Sequence, residues 1–250
     1  MVMPLGNEER PQTTCWATYL LIAANVAAFA ATAARPEATL IAAAATPYEI
    51  THGVDIVAPF LFQPEPAAAG DADAPAADPV VIEQAPGPHP IGLTVLSAMF
   101  LHASLVHLLG NMLFLFIFGR RIEEAFGRPT FLASYLACGV VGTLAQVAAV
   151  PDSLTPILGA SGAIAGVMGA YLVWFPRDRV RVLFLNVVAT VPASGVILCW
   201  IAVQLLRSQF LSRAVAQEGH VAYLSHLGGA AAGVLVGLLV RAARRGPAAA

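Results

Sequence analysis

The chain contains no lysine, and charged residues make up only 11% of its 250 positions. A typical soluble domain carries about 25%. With a net charge of −2 and no basic cluster, it lacks the electrostatic footprint of a nucleic-acid-binding protein. Cys15, Cys138 and Cys199 stand far apart and form no CxxC pair. That excludes the usual spacing of a metal site or disulfide framework and leaves three buried thiols as the reading. His102 and His107 are not arranged as HExxH and have no acid clustered with them, so the zinc-protease pattern is missing as well.

What fills the chain instead is apolar sequence: 58% hydrophobic residues and a mean hydropathy of +0.74. About 20 apolar residues cross a hydrocarbon core of roughly 30 Å. Runs of that order lie at 16–34, 95–119, 131–150, 157–175, 192–211 and 222–240. They predict an all-α polytopic membrane helix bundle with six transmembrane helices. The apolar stretch 181–191 is too short to span and reads as an interfacial lead-in, with Pro192 in the first turn of the fifth helix.

Arginines give the orientation. Arg10, Arg120, Arg121, Arg128, Arg177, Arg179, Arg181, Arg241, Arg244 and Arg245 fall on one side of the six spans, against Arg35, Arg207 and Arg213 on the other. By the positive-inside rule both termini are cytoplasmic. The organisation is then a cytoplasmic segment 1–15, a six-span membrane domain 16–241 and a cytoplasmic tail 242–250. The long connection 35–94 faces outward, and its middle, QPEPAAAGDADAPAADP, has the composition of a flexible insertion. His52 and His89 lie in that connection without metal-ligand spacing and read as solvated. The end of the first span, AFAATAAR, resembles a signal-cleavage site, but the run is long and Glu8 and Glu9 precede it, which favours a retained helix.

Polar side chains inside such spans are expensive and are functional candidates by default. Four stand out: His107 and Asn111 in HLLGN of the second span, Ser161 in GASG of the fourth, and His226 in SHLGGAAAG of the sixth. Counting back from Arg120, Arg177 and Arg241 at about 1.5 Å per residue puts His107, Ser161 and His226 roughly 6–9 Å below the outer surface. Asn111 lies one turn deeper than His107 on the same face. The same count makes 91–100 surplus to the second span and assigns it to the outer interface.

Small residues allow the helices to meet. Gly162, Gly166 and Ala170 form one small face, and Gly229, Gly233 and Gly237 another, with His226 one turn before the latter. Such faces bring helix backbones together in lipid, and taken alone they are only packing motifs. Ser161 follows Pro156 and Gly159 and so occupies a helix first turn. Taken alone it reads as an N-cap, yet the free N–H groups there also suit an oxyanion.

Together, HxxxN, GxSG and HxxGxxxG in this order resemble the rhomboid family of intramembrane serine proteases, across nearly the whole chain. The N-terminal MPLGNEERP and the NMLFLFIFG run resemble a six-span bacterial branch of that family. The resemblance implies a serine endopeptidase of the bacterial plasma membrane that cleaves in or beside transmembrane segments of protein substrates. Ser161 would be the nucleophile and His226 the general base, with His107, Asn111 and the Ser161 N–H as oxyanion hole. Gly162, Gly166, Gly229 and Gly233 would pack the helices. No metal or cofactor is implied, and the partners are substrate proteins and the lipid bilayer, with no nucleic acid. Glu123 and Gly127 match an ExxxG pattern expected to shape the cytoplasmic turn, and His102 recurs in a structural role. The chain departs from the pattern at Ala165, where some members have a tyrosine beside the base, and it lacks a Trp-Arg pair in the first outer loop.

Two other classes compete. An inactive rhomboid-like protein that binds membrane clients would keep the helical body but lose the nucleophile or base, and both are present here. A small transporter with a relay histidine would carry inverted repeats or intramembrane carboxylates, and neither is evident.

Overall fold

The structure, a computed structural model, describes residues 2–9, 11–35, 37–57, 60–62, 80–82, 86–87, 90–184, 187–214 and 222–245. Its elements in chain order are β1 (Val2–Asn7), α1 (Trp16–Thr32), α2 (Glu37–Ala42), α3 (Pro47–His52), β2 (Phe60–Phe62), β3 (Val80–Ile82) and α4 (Thr94–Ser97). There follow α5 (Leu105–Phe114), a π-helical turn at Leu115–Gly119, α6 (Arg120–Phe126), α7 (Arg128–Ala149) and α8 (Ser161–Trp174). The chain continues through β4 (Arg179–Phe184), β5 (Val187–Pro192), α9 (Ala193–Ala214) and α10 (Tyr223–Arg245). The middle of the long connection 35–94, His89 and the segment 215–221 lie outside the described residues, as do Arg10 and the end of the tail.

The molecule is mostly helical, and among the described residues three helices are long and apolar enough to cross a membrane: Leu105–Phe126, Arg128–Ala149 and Tyr223–Arg244. Large apolar side chains such as Val106, Leu109, Leu198, Leu235 and Leu239 point outward from several helices. A soluble monomer rarely exposes apolar surface so widely, whereas lipid tails accept it.

α8 stands at the centre. Every residue from Gly162 to Tyr171 is buried, as expected of a helix apolar on all faces. α10 runs parallel to it: Ser161 meets His226 at one end, and Trp174 Nε1 donates to the Gly237 carbonyl at the other. The two backbones touch where their glycines face. A Cβ on Gly229 would overlap the Gly162 carbonyl, and one on Gly233 the Gly166 carbonyl. α7 packs antiparallel beside them; its Gln146 Oε1 accepts the Leu224 N–H and so satisfies a free donor in the first turn of α10.

Several expectations need correction. The fold is not purely helical, because β1, β4 and β5 form an antiparallel sheet in the order β1-β4-β5. The stretch 181–191, expected as an interfacial lead-in, is most of its β4–β5 hairpin. In RVRVLF, Val180 and Val182 are buried while Arg179 and Arg181 are exposed, the two-residue period of a half-buried strand. Pro192 accordingly ends β5 and does not open the fifth helix. The apolar run that begins at 95 is broken where the depth count sets 91–100 apart from the second span: Ile91–Phe100 is a separate short helical run, the chain is extended at Leu101, and the long helix starts at Leu105.

The arginine-bearing end is tied by polar contacts. The buried Glu123 carboxylate accepts from the Ala17 and Thr18 N–H groups at 2.9 and 2.7 Å and from the Thr18 hydroxyl at 2.7 Å. It thereby caps α1 from a neighbouring helix. Gly127 turns the chain into α7 at φ 76°, in the left-handed region that glycine tolerates. Asn7 Nδ2 donates to the Ile117 carbonyl within the π turn, and Tyr171 and Arg121 both donate to Asp178.

Candidate active site

Ser104 opens α5 as its N-cap, with its hydroxyl accepting the His107 N–H at 3.2 Å. His107 therefore emerges in the helix's first turn, and Asn111 follows one turn later on the same face. Asn111 is buried, and its Nδ2 lies 2.9 Å from His102 Nε2. His102 is itself buried and packs edge-on to His107, with ring centroids 5.0 Å apart. It positions both residues of the HLLGN motif. An amide nitrogen carries two hydrogens, so the bond to His102 leaves Asn111 a second donor.

Ser161 is the first residue of α8, but it does not cap that helix: the N-cap position falls on Ala160, and no side-chain cap bond is made. Its Oγ lies 2.7 Å from His226 Nε2. The preceding loop is held from two directions. Ala45 and Ile157 exchange backbone hydrogen bonds at 2.9 Å, and the Gly159 N–H donates to the Ala98 carbonyl at 2.8 Å. Gly159 has φ 119°, and a Cβ there would come within 2.9 Å of His107 Nε2. A glycine is thus required both by backbone conformation and by the approach of His107 to the serine loop.

His226 sits one turn into α10, buried at 7% exposure. Beyond Ser161 it meets two residues of α9 that sequence reasoning missed. Gln204 Oε1 lies 3.0 Å from His226 Nδ1, and the Trp200 ring stacks obliquely with a centroid separation of 5.3 Å. These supply the bracing that Ala165 cannot. Gln204 was open to discovery by the rule that singled out the other polar residues, since it is an amide in an apolar run.

All four of the sequence-derived candidates line one cavity of about 700 Å³, together with Gly159, Trp200 and Gln204. Its volume is in the range of small-molecule and peptide sites. The arrangement pairs a hydroxyl with a ring nitrogen able to take its proton, beside the free N–H groups of a helix start. Such a constellation can carry out acyl transfer at a carbonyl.

Residues 92–243 match the model of the rhomboid domain. Among curated relatives, a putative rhomboid protease, YdcA, of Bacillus subtilis is 30% identical over 145 residues, covering 58% of this chain and 65% of that protein. The rhomboid protease GluP of the same organism is 36% identical over 96 residues, 38% of this chain and 18% of its own length. Mitochondrial rhomboid protein 1 of Saccharomyces cerevisiae is 30% identical over 153 residues, 58% of this chain and 41% of that protein. The chain thus spans less than two thirds of the length of each of these relatives.

Proposed function

The chain belongs to the rhomboid family, and from that premise we propose that it is an intramembrane serine endopeptidase with transmembrane proteins as substrates. The observation that carries this reading is the 2.7 Å approach of Ser161 Oγ to His226 Nε2 at a cavity inside an apolar bundle. Relatives named as proteases support it.

In the proposed reaction His226 Nε2 takes the Ser161 hydroxyl proton as Oγ attacks the scissile carbonyl. The negative charge on the carbonyl oxygen is met by the Ser161 N–H, His107 and the free Asn111 donor, each such donor being worth about 10²–10³ in rate. His226 then gives the proton to the departing amine, the C–N bond breaks, and an acyl-enzyme ester remains on Ser161. Water, deprotonated by the same nitrogen, hydrolyses that ester and restores the hydroxyl. None of these steps calls for a cofactor.

The proposal includes the topology. α1, α5–α6, α7, α8, α9 and α10 are the six spans, the arginine-bearing end and both termini are cytoplasmic, and the membrane is a bacterial plasma membrane. Residues 16–241 form the membrane domain, with 1–15 and 242–250 outside it. α8 is only 14 residues long, about 21 Å of helix. It spans by being sheathed in other helices, with Ser161 sunk below the membrane surface.

The test is cleavage of a panel of single-pass membrane proteins by the purified chain in lipid, with Ser161→Ala as control. Cleavage in or beside the transmembrane segment, lost in the control, supports the proposal. Cleavage that survives Ser161→Ala overturns the nucleophile assignment. Client binding by wild type and control alike, without cleavage, identifies a binding protein instead.

A further inference from the structure

The imidazole of His226 is held at both nitrogens: Nε2 faces Ser161 Oγ at 2.7 Å and Nδ1 faces Gln204 Oε1 at 3.0 Å. A neutral imidazole carries one hydrogen, and only the tautomer with hydrogen on Nδ1 leaves Nε2 free to accept the serine proton. A carbonyl oxygen opposite Nδ1 selects that tautomer, because it can accept a hydrogen bond and cannot donate one. We infer that Gln204 is a positioning residue of the reaction, fixing the proton of His226 on Nδ1 and the ring plane toward Ser161. The inference rests on the serine-protease reading of Ser161 and His226, although its first readout does not depend on proteolysis.

The geometry gives the contact more than incidental weight. Gln204 is 8% exposed and His226 7%, so water offers the Nδ1–H little competition. Trp200 lies one turn before Gln204 on the same face of α9, and its ring flanks the imidazole 5.3 Å away. One residue fixes the tilt of the ring and the other its rotation. An uncharged acceptor also suits the location: a carboxylate would hold an imidazolium more tightly but is costly to place at membrane depth. When Nε2 takes the serine proton, the new imidazolium keeps its Nδ1–H on Gln204. Proton transfer therefore requires no reorganisation on that side.

α9 thereby becomes part of the reaction centre although it carries neither nucleophile nor base. Any displacement of α9 away from α10 separates Gln204 from His226 and releases the ring.

The test uses the full-length protein in lipid, isotopically labelled at histidine nitrogen, with His226 assigned through His226→Ala. In wild type the ring nitrogens should report the Nδ1–H form. Gln204→Met preserves length and apolar packing but removes the acceptor, and the spectrum should shift to a mixture or to the Nε2–H form. On a cleaved substrate, kcat should fall about 10- to 100-fold, the order expected when a buried donor loses its partner, with KM within about twofold. Gln204→Glu puts a carboxyl oxygen back opposite Nδ1 and should keep the proton on Nδ1, with kcat between that of Gln204→Met and wild type because a carboxyl group is costly at this depth. An Nε2–H tautomer in wild type, meaning that the amide is turned the other way, overturns the inference. So does Gln204→Met with unchanged tautomer and unchanged kcat. A wild-type chain that cleaves nothing while showing the Gln204-dependent tautomer leaves the positioning role standing and removes the protease reading instead.

Discussion

Both ends of the helical bundle bury polar groups, and they use them in opposite ways. At the arginine-bearing end the polar atoms are taken up by structure: Glu123 accepts three hydrogen bonds at the start of α1, Asn7 binds the Ile117 carbonyl, and Arg121 and Tyr171 share Asp178. At the opposite end Ser161, His226, His107 and Asn111 line an open cavity. Their mutual bonds leave donors and acceptors facing that space. A buried polar group satisfied by backbone is a fastener, whereas one satisfied only by another side chain at the edge of a cavity is available for chemistry.

The contrast is sharpest in Ser161→Ala. It should lower substrate turnover by about 10⁴-fold or more, as loss of a nucleophile does. It should cost no more than about 1 kcal/mol of stability, the worth of one hydrogen bond. Turnover and thermal midpoint measured on the same preparation in lipid check both halves. Comparable losses in the two would erase the distinction between the ends.

Glu123→Ala is the mirror experiment. It strips the acceptor from the Ala17 N–H, the Thr18 N–H and the Thr18 hydroxyl, and should destabilise the fold by about 3 kcal/mol or more. Activity per folded molecule should stay near wild type, because the residue lies at the end of the bundle away from the cavity. Glu123→Gln, which keeps one acceptor oxygen, should fall between. Unfolding followed in parallel with titration of active sites tests this.

Gly233→Ala crosses between the two ends, since the contact of α8 with α10 runs along the whole bundle. The added Cβ overlaps the Gly166 carbonyl, so the helices must part, at about 1–3 kcal/mol in stability. Because the same crossing brings Ser161 to His226, turnover should fall with it. Gly195→Ala is the control: nothing lies within 4 Å of its added Cβ, and both measurements should hold. Equal behaviour of the two variants would separate glycine packing from site geometry.

How much of this was legible in the sequence follows from the range of the interactions. The long helices and the four polar candidates were readable because apolar runs and intramembrane polar residues are local signals. Depth counting brought three of them to one level by adding rises along single helices. β1 was not readable, since its partner strand lies far along the chain, Val2 opposite Phe184, and no short window contains both. β4 is legible only in its alternation, Arg179 and Arg181 against Val180 and Val182, which the run's total hydropathy conceals. Gln204 is a polar residue in an apolar run, but no motif contains it and only the folded contact shows that it faces His226. Its contact with His226 comes from a helix that the motif set leaves unmarked.

Glu49 tests whether the comparison holds outside the bundle, and its expected effect is the smallest. It belongs to α3, in the connection before the second span. That segment docks on the 150–158 loop through the Tyr48 N–H to Ser153 and the Thr51 hydroxyl to Pro151. Glu49 is buried, and its Oε1 accepts the Ile56 N–H at 2.9 Å, so by its contacts it resembles the fasteners of the far end. Burial nevertheless raises its carboxyl above the usual carboxylate range, outweighing the hydrogen bond from Ile56. The folded form then binds the proton more tightly than the unfolded chain does. Its contribution to stability is present in full below the ordinary carboxylate pKa and is lost as pH rises through the elevated one. Glu49→Gln, uncharged at every pH, should lack that decline. Thermal unfolding from about pH 4 to about pH 8 should show wild type losing stability relative to the variant toward the alkaline end, with turnover per folded molecule the same in wild type and variant at each pH. Parallel unfolding curves would make Glu49 a fastener of the Glu123 kind. A difference in turnover between wild type and variant that tracked the Glu49 titration would tie the connection before the long Leu105–Phe126 helix to the serine loop it braces.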